Sequence, residues 1–324
     1  MPGKFRALVV LLLLRVVFAF SQDTYKLQDG TVVALPDTSY GKQLIKVEDE
    51  YTAVLSKFDL QSKTGRTDNP KLIDYLNNAS KQVLIWKDSD RSIISNTVAS
   101  ISAKIRALGL KLNMPDTIFI IKSTMKEEGG ADGYTRRNCI FLNEEYFWSD
   151  GSGVENLLIH ELFHVLSRYD RDMRERVYNT LGFKKCNDVT YPKEIADLRI
   201  SNPDAPHNNF YLTVKYGGKP VDVMMILYSS GQYSGGSFFR YIKIGLMVVD
   251  GDGLNKAPAY KDGKPWILEI PDVKNFYEQV GKNTDYMIHE EEICADQFVI
   301  LLSQNIIIPN EDLIVAMRKA MTPN

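Results

Sequence analysis

The sequence predicts an α+β fold, and three observations carry that class. Residues 71–86 and 92–108 read as helices; in the second, Ile93, Ile94, Val98, Ile101, Ile105 and Leu108 recur at the three- and four-residue steps of one helix face. Residues 209–270 are rich in Tyr, Val, Ile and Gly and carry the turn signals YGGKP, SSGQYSGG and DGDG, a β-rich pattern. Helical patterning then resumes at about 271, with a strong helix over 289–304 and a last one near 310–320.

The chain starts MPGKFRALVVLLLLRVVFAF. Lys4 and Arg6 precede an apolar run over 7–20 that is interrupted by Arg15, and Ala19 and Ser21 set small residues two apart before Gln22. That is the pattern of a signal peptide over 1–21. The run is short and broken for a spanning helix, so an exported chain, free of the membrane once the leader is removed, is expected. An uncleaved N-terminal anchor is the alternative. At 324 residues, 44% hydrophobic and 25% charged, the remainder can build a large core. A net charge of -2, without a basic run interleaved with aromatics, gives no footprint for nucleic acid. Cys139, Cys186 and Cys294 form no CxxC pair, which excludes a zinc-finger array or dithiol redox motif. Either one disulfide forms, most simply Cys139 with Cys186, or all three stay free and mostly buried. Asn78-Ala79-Ser80 is a glycosylation sequon, relevant only to a eukaryotic export route.

Residues 22–70 are polar, with apolar clusters at 31–35 and 51–60, and read as a peripheral lead-in to a mostly helical region over 22–110. Gly109 ends the second helix. Strand candidates at 117–122 and 138–143 flank the loop KEEGGADGYTRR. Ser152 and Glu155 have capping-box spacing, and the chain is helix-friendly from 154 to Gly182. Residues 186–208 read as loop, marked by NPDAP at 202–206, and VDGDGLN at 249–255 reads as a hairpin turn because it lacks the further acids of a calcium loop. Residues 111–324 are thus one region holding the β-rich insertion at about 209–270.

The chemistry lies in HELFHVLSRYD, residues 160–170. His160 and His164 are four apart, so on a helix they share one face, about 40° apart. Glu161 sits one step round, where it can reach a water held by the metal without ligating the metal itself. Leu157, Leu158, Ile159, Leu162, Phe163, Val165 and Leu166 make this helix apolar nearly all round, hence buried. Buried histidines and glutamates need partners, and a metal ion provides one.

On these residues the chain resembles the zincin metallopeptidases, over roughly 117–182 and again over 286–304. The resemblance implies a zincin-like core: a mixed sheet packed on the HExxH helix, with an edge strand that lines the cleft and pairs with extended substrate. NCIFLNEEYF at 138–147 stands where that strand is expected. HExxHxxSRYD is also similar to the metzincin signature HExxHxxGxxH, or its variant ending in Asp, which would make Asp170 the third ligand. Ser167 occupies the position of the glycine that lets that helix turn. Leu166, Tyr169, Met173, Val177 and Leu181 carry a helical stripe through position 170, and on a continuous helix Asp170 points away from the metal.

HEEEICADQF, 289–298, is similar to the second helix of gluzincins, which supplies a glutamate ligand and, four residues on, a carboxylate that orients a ligating histidine. Glu292 and Asp296 have that relation, and Asp296 stands in an apolar stretch where a lone carboxylate is costly. The gap from His164 to Glu292 is much longer than in thermolysin, so the likeness is to the motif. His289, one turn before Glu292, is an alternative ligand or oxyanion donor; Tyr286, Tyr233 and His207 are further oxyanion candidates. The resemblance implies one Zn2+ per chain on His160, His164 and Glu292, Glu161 as general base, Asp296 behind a histidine, and a peptide or protein substrate. The alternative is an exported structural or interaction protein that binds zinc on the same fold without peptidase activity.

Overall fold

The computed structural model describes residues 23–28, 30–303 and 307–322, so the signal peptide expected over 1–21 lies outside them. The described chain opens as a hairpin: β1 (Asp23–Gln28) pairs antiparallel with β2 (Thr31–Leu35), with Gly30 at φ 81° in the turn. Four helices follow: α1 (Thr38–Ile45), α2 (Lys57–Thr64), α3 (Leu72–Gln82) and α4 (Asp88–Ala107). Then come β3 (Thr117–Ser123), β4 (Gly133–Arg136) and β5 (Cys139–Asn143). They complete a mixed sheet in the order β1-β2-β3-β5-β4, in which β2, β3 and β5 run parallel and β4 is antiparallel at the edge.

Residue alternation decides how this sheet is covered. Ile118, Ile120, Ile140 and Leu142 point to one face, where they join Ile94, Val98, Ile101 and Ile105 of α4. Ile121, Cys139 and Phe141 point to the other, against Leu44 and Ile45 of α1 and Tyr75, Leu76 and Ala79 of α3. The stripe read from residues 92–108 is therefore the buried face of α4.

Two expectations are corrected here. Residues 22–70 are not a peripheral lead-in, because Val33, Ala34 and Leu35 of β2 are buried in the central sheet beside β3. Nor is the edge strand at 138–147: β5 is interior, and the edge is β4, inside the segment read as a loop. The sequence GYTR is too short and too polar to show a period-two signal.

Next comes α5 (Val154–Tyr169), which lies against β4, α4 and α6 (Arg171–Thr180). Ser152 does not cap it. The N-cap is Gly153 at φ 91°, and Glu155 pairs instead with Lys104 of α4. The expected continuous helix over 154–182 is also corrected, since it breaks at Asp170 (φ -106°, ψ 81°). The Asp170 carboxylate accepts the Met173 N–H at 2.9 Å and so caps a new helix, a role aspartate fills well. Met173 and Val177 stay buried across the break while Tyr169 is exposed, so the apolar stripe crosses two helices.

After β6 (Lys184–Lys185) and α7 (Lys193–Ala196), the β-rich stretch forms a second sheet, antiparallel throughout. Its strands β7 (Phe210–Tyr216), β8 (Lys219–Ser229), β9 (Ile242–Asp250) and β10 (Ala257–Pro258) follow the order β10-β9-β8-β7-β6, with VDGDGLN in the β9–β10 hairpin. Phe210, Leu212, Val223, Met225, Leu246 and Val248 turn one face into the main core. The chain closes with α8 (Phe276–Val280), α9 (Glu290–Leu302) and α10 (Glu311–Met321). Cys139, Cys186 and Cys294 are free and buried. Among the described residues no helix is long and apolar enough to cross a membrane.

Candidate metal centre

Helices α5 and α9 pack together, and their meeting places two histidines of one against three acids of the other. His160 and His164 stand one turn apart with ring centroids at 4.8 Å. Glu292 Oε2 lies 3.0 Å from His160 Nε2 and 3.6 Å from His164 Nε2. Zinc bonds of about 2.0–2.1 Å in a tetrahedron put neighbouring ligand atoms about 3.3 Å apart, and the two distances bracket that value. His160, His164 and Glu292 thus offer ligand atoms within 4.8 Å of one another, as the sequence suggests.

Both imidazoles are oriented from behind. Asp296 Oδ1 lies 2.9 Å from His160 Nδ1, and Glu291 Oε1 lies 2.9 Å from His164 Nδ1. A carboxylate only accepts, so each Nδ1 donates its proton backward; His164 Nε2 is left to face the cluster, while His160 Nε2 donates to Glu292 at 3.0 Å, a proton that a metal ion would replace. His164 Nε2 is buried and has no hydrogen-bond partner. A buried nitrogen of this kind, facing a carboxylate, suits a metal ligand better than a packing residue. The donor set of two nitrogens and one oxygen fits zinc.

Glu291 was not singled out from the sequence. The signal was present, because the second nitrogen of each ligating histidine wants a partner, and EEE supplies two adjacent acids about 100° apart on α9. Ser167 and Tyr178 also donate to Glu291, the former at 2.5 Å, so the serine at the glycine position of the metzincin signature braces His164 here.

Burial raises the Glu292 carboxyl, but the charges of His164 and His160, with hydrogen bonds from His160 and Asn202, outweigh it and hold it at about 2. His160 is the counterpart: burial lowers it, yet Asp296 and Glu292 raise it well above the usual imidazole range. Glu161 is pushed up to about 8, first by burial and then by the charge of Asp204, against the lowering effect of both histidines. Its Oε2 accepts from Thr135 Oγ1 of β4 at 2.7 Å. Gly133 lets that strand come close, since a Cβ there would meet Glu161 Oε1 at 2.7 Å.

The other candidates separate cleanly. Asp170 lies outside the cluster and caps α6, as its short side chain finds a backbone N–H three residues ahead. His289 is not among the clustered ligands either: its Nδ1 accepts the Glu291 N–H at 3.1 Å as the N-cap of α9. Tyr233 donates to Gly236 O, and His207 sits between Asp188 and Glu50. Tyr286 alone of the four oxyanion candidates lines the cleft of about 600 Å³ that holds His160, Glu161 and Glu292, and partial burial with the surrounding acids keeps its hydroxyl protonated. Asp204, within the segment read as loop, lines the same cleft. Its carboxyl is raised well above the usual range, foremost by burial and then by Glu292. Nothing local in NPDAP announces that position.

Fold and site together define a mixed α/β protein with a three-residue cluster able to hold a metal ion. Compared with family models, curated proteins and solved structures, the chain matches none, so the reading below rests on its own residues.

Proposed function

We propose that the chain is an exported, single-zinc peptidase with a zincin-like core and a gluzincin-like ligand set of His160, His164 and Glu292. The observation that carries this reading is the buried, unpartnered Nε2 of His164, on an imidazole braced by Glu291 and aimed at the carboxylate of Glu292. Zinc, when bound, supplies a Lewis acid that acidifies water and polarises a carbonyl. Glu161, ionised beside the dication, takes the proton of the attacking water and returns it to the leaving amine, held in place by the Thr135 hydroxyl. The Tyr286 hydroxyl donates to the oxygen that gains charge during attack. The outer edge of β4, where Asp204 now takes the Thr135 N–H, would offer backbone groups to an extended peptide once that contact opens.

A second reading keeps the ion for stability in a structural or interaction protein, and the closeness of Asp204 to the cluster favours it. The two part on one experiment. Zinc content by elemental analysis and cleavage of an unstructured protein are measured on the mature chain and its His164→Ala, Glu292→Ala and Glu161→Gln forms. The peptidase reading expects one zinc per chain, lost with His164 or Glu292. It expects zinc kept in Glu161→Gln while the rate falls by about 10²–10⁴. Zinc without cleavage, both in the unaltered chain and in its Asp204→Asn form, leaves the structural reading; no zinc sinks both.

A further inference from the structure

Between α7 and β7 the chain crosses the cleft as a strap, residues 201–206, tied on both sides. On one side Asn202 Nδ2 donates to Glu292 Oε1 at 2.5 Å, the carboxylate oxygen turned away from the histidines. On the other, Thr135 N of the edge strand donates to Asp204 Oδ1 at 2.6 Å. Arg168, on α5 one turn past His164, holds the carbonyls of Pro203 and Asp204 at 3.1 Å each, and Arg199 holds that of Pro206 at 2.6 Å. Upstream, Ser201 is anchored through its N–H to Asp59 and through its hydroxyl to the Val54 carbonyl.

This strap sets a further acid, Asp204, in a second group that shares His164 with the first. One oxygen of Asp204, one of Glu161 and a ring nitrogen of His164 lie within 4.8 Å of one another. His164 is fully buried, and its Nε2 has no hydrogen-bond partner. The same aspartate takes the backbone N–H of Thr135, a group that an extended peptide adding to β4 would need. A divalent cation would draw the carboxylates of Glu292 and Asp204 toward it, because the attraction between a dication and a partly buried carboxylate exceeds that of surface pairs.

We propose that Asp204 is a fourth protein ligand to the ion held by His160, His164 and Glu292, carried on a strap that closes the cleft until it is displaced. In this resting state one carboxylate fills the position that hydrolysis requires for water, and it also covers the edge-strand amide. The proposal rests on the metal reading above but not on peptidase activity. Nothing in the pattern HExxH plus ExxxD contains it; it follows from where the fold lays residues 201–206.

The test uses the mature full-length chain with zinc and with cobalt(II), whose visible bands report ligand number and type. Zinc affinity is measured by competition with a chelator for the unaltered protein, Asp204→Asn and Asp204→Glu. Asp204→Asn keeps an oxygen to accept the Thr135 N–H but loses the charge. Loss of a group behind a ligand already weakens metal binding about 10–100-fold, so loss of a ligand should cost at least about tenfold, with altered cobalt bands, while Asp204→Glu restores much of both. Cobalt-loaded Asp204→Cys should show a sulfur-to-cobalt charge-transfer band in the near ultraviolet, a signature only direct contact produces. Unchanged affinity and bands in Asp204→Asn, or no such band in the folded cysteine variant, overturns the proposal and leaves the peptidase reading standing. Weaker binding and the new band without cleavage by any variant support Asp204 as ligand and remove the peptidase. A chain that binds neither metal removes both ideas.

Discussion

Single buried acids do most to set this protein apart from its motif. Glu127, just before β4, shows the physics away from the metal cluster. Its Oε1 accepts from Ser123 Oγ at 2.6 Å and Tyr134 OH at 3.1 Å, while Oε2 is buried without a partner. Burial raises its carboxyl first, the Ser123 bond resists, and the value settles at about 7. The folded state thus holds a proton that the unfolded chain releases near 4.5. Its contribution is full below that value and is lost as the pH rises to about 7. Glu127→Gln keeps an acceptor and cannot ionise. Its stability relative to the unaltered protein should therefore rise by about 3 kcal/mol between about pH 4 and pH 8, at about 1.4 kcal/mol per tenfold. Urea unfolding across that range reads the difference, and parallel curves would refute it. Glu161 was legible in the sequence because HExxH names it. Glu127 and Asp204 were not, since burial of a loop acid depends on which elements close over it.

At the scale of elements, the break between α5 and α6 shows how a correct period can hide a boundary. The apolar residues keep their spacing through Asp170, so the stripe reads as one helix, yet the carboxylate competes for the Met173 N–H and starts a second. Asp170→Ala should cost about 1 kcal/mol as a lost cap and leave zinc content unchanged. Calorimetry with elemental analysis checks both, and zinc lost with this residue alone would mean that it ligates the ion after all. Helices α3, α4 and α10 were legible within a few residues because each has a polar and an apolar face, and α9 because an apolar run of helical length follows its acidic start. Strand β4 was hidden, as four residues between a glycine-rich loop and the two-residue turn at Arg137 and Asn138 carry no period, although Gly133 of that strand lines the cleft.

Across the whole molecule, the candidate metal cluster joins parts that are distant in sequence. His160 Nδ1 and Asp296 are 136 residues apart, His164 and Glu291 127, and Asn202 and Glu292 90. The second sheet fills the interval and packs one face on the same core as α5 and α9. An ion bridging α5 and α9 should therefore stabilise the fold as a unit. Free zinc at about 100 times its Kd should add about 2.7 kcal/mol, which at about 2–4 °C per kcal/mol for large domains raises Tm by several degrees. Differential scanning calorimetry with chelator and with zinc measures this, and identical transitions would count against any ion at the site.

The sequence by itself determined the mixed class, the buried face of α4 and the candidate group His160, Glu161, His164, Glu292 and Asp296. The first three candidates follow from spacing along one helix, which is local geometry, and the last two from the resemblance that ExxxD carries. The tertiary structure decided the edge strand, the second bracing acid Glu291 and the strap that carries Asp204 to the cluster. Those depend on which segments meet across the cleft, and a loop such as NPDAP has no period of its own to say where core packing will lay it.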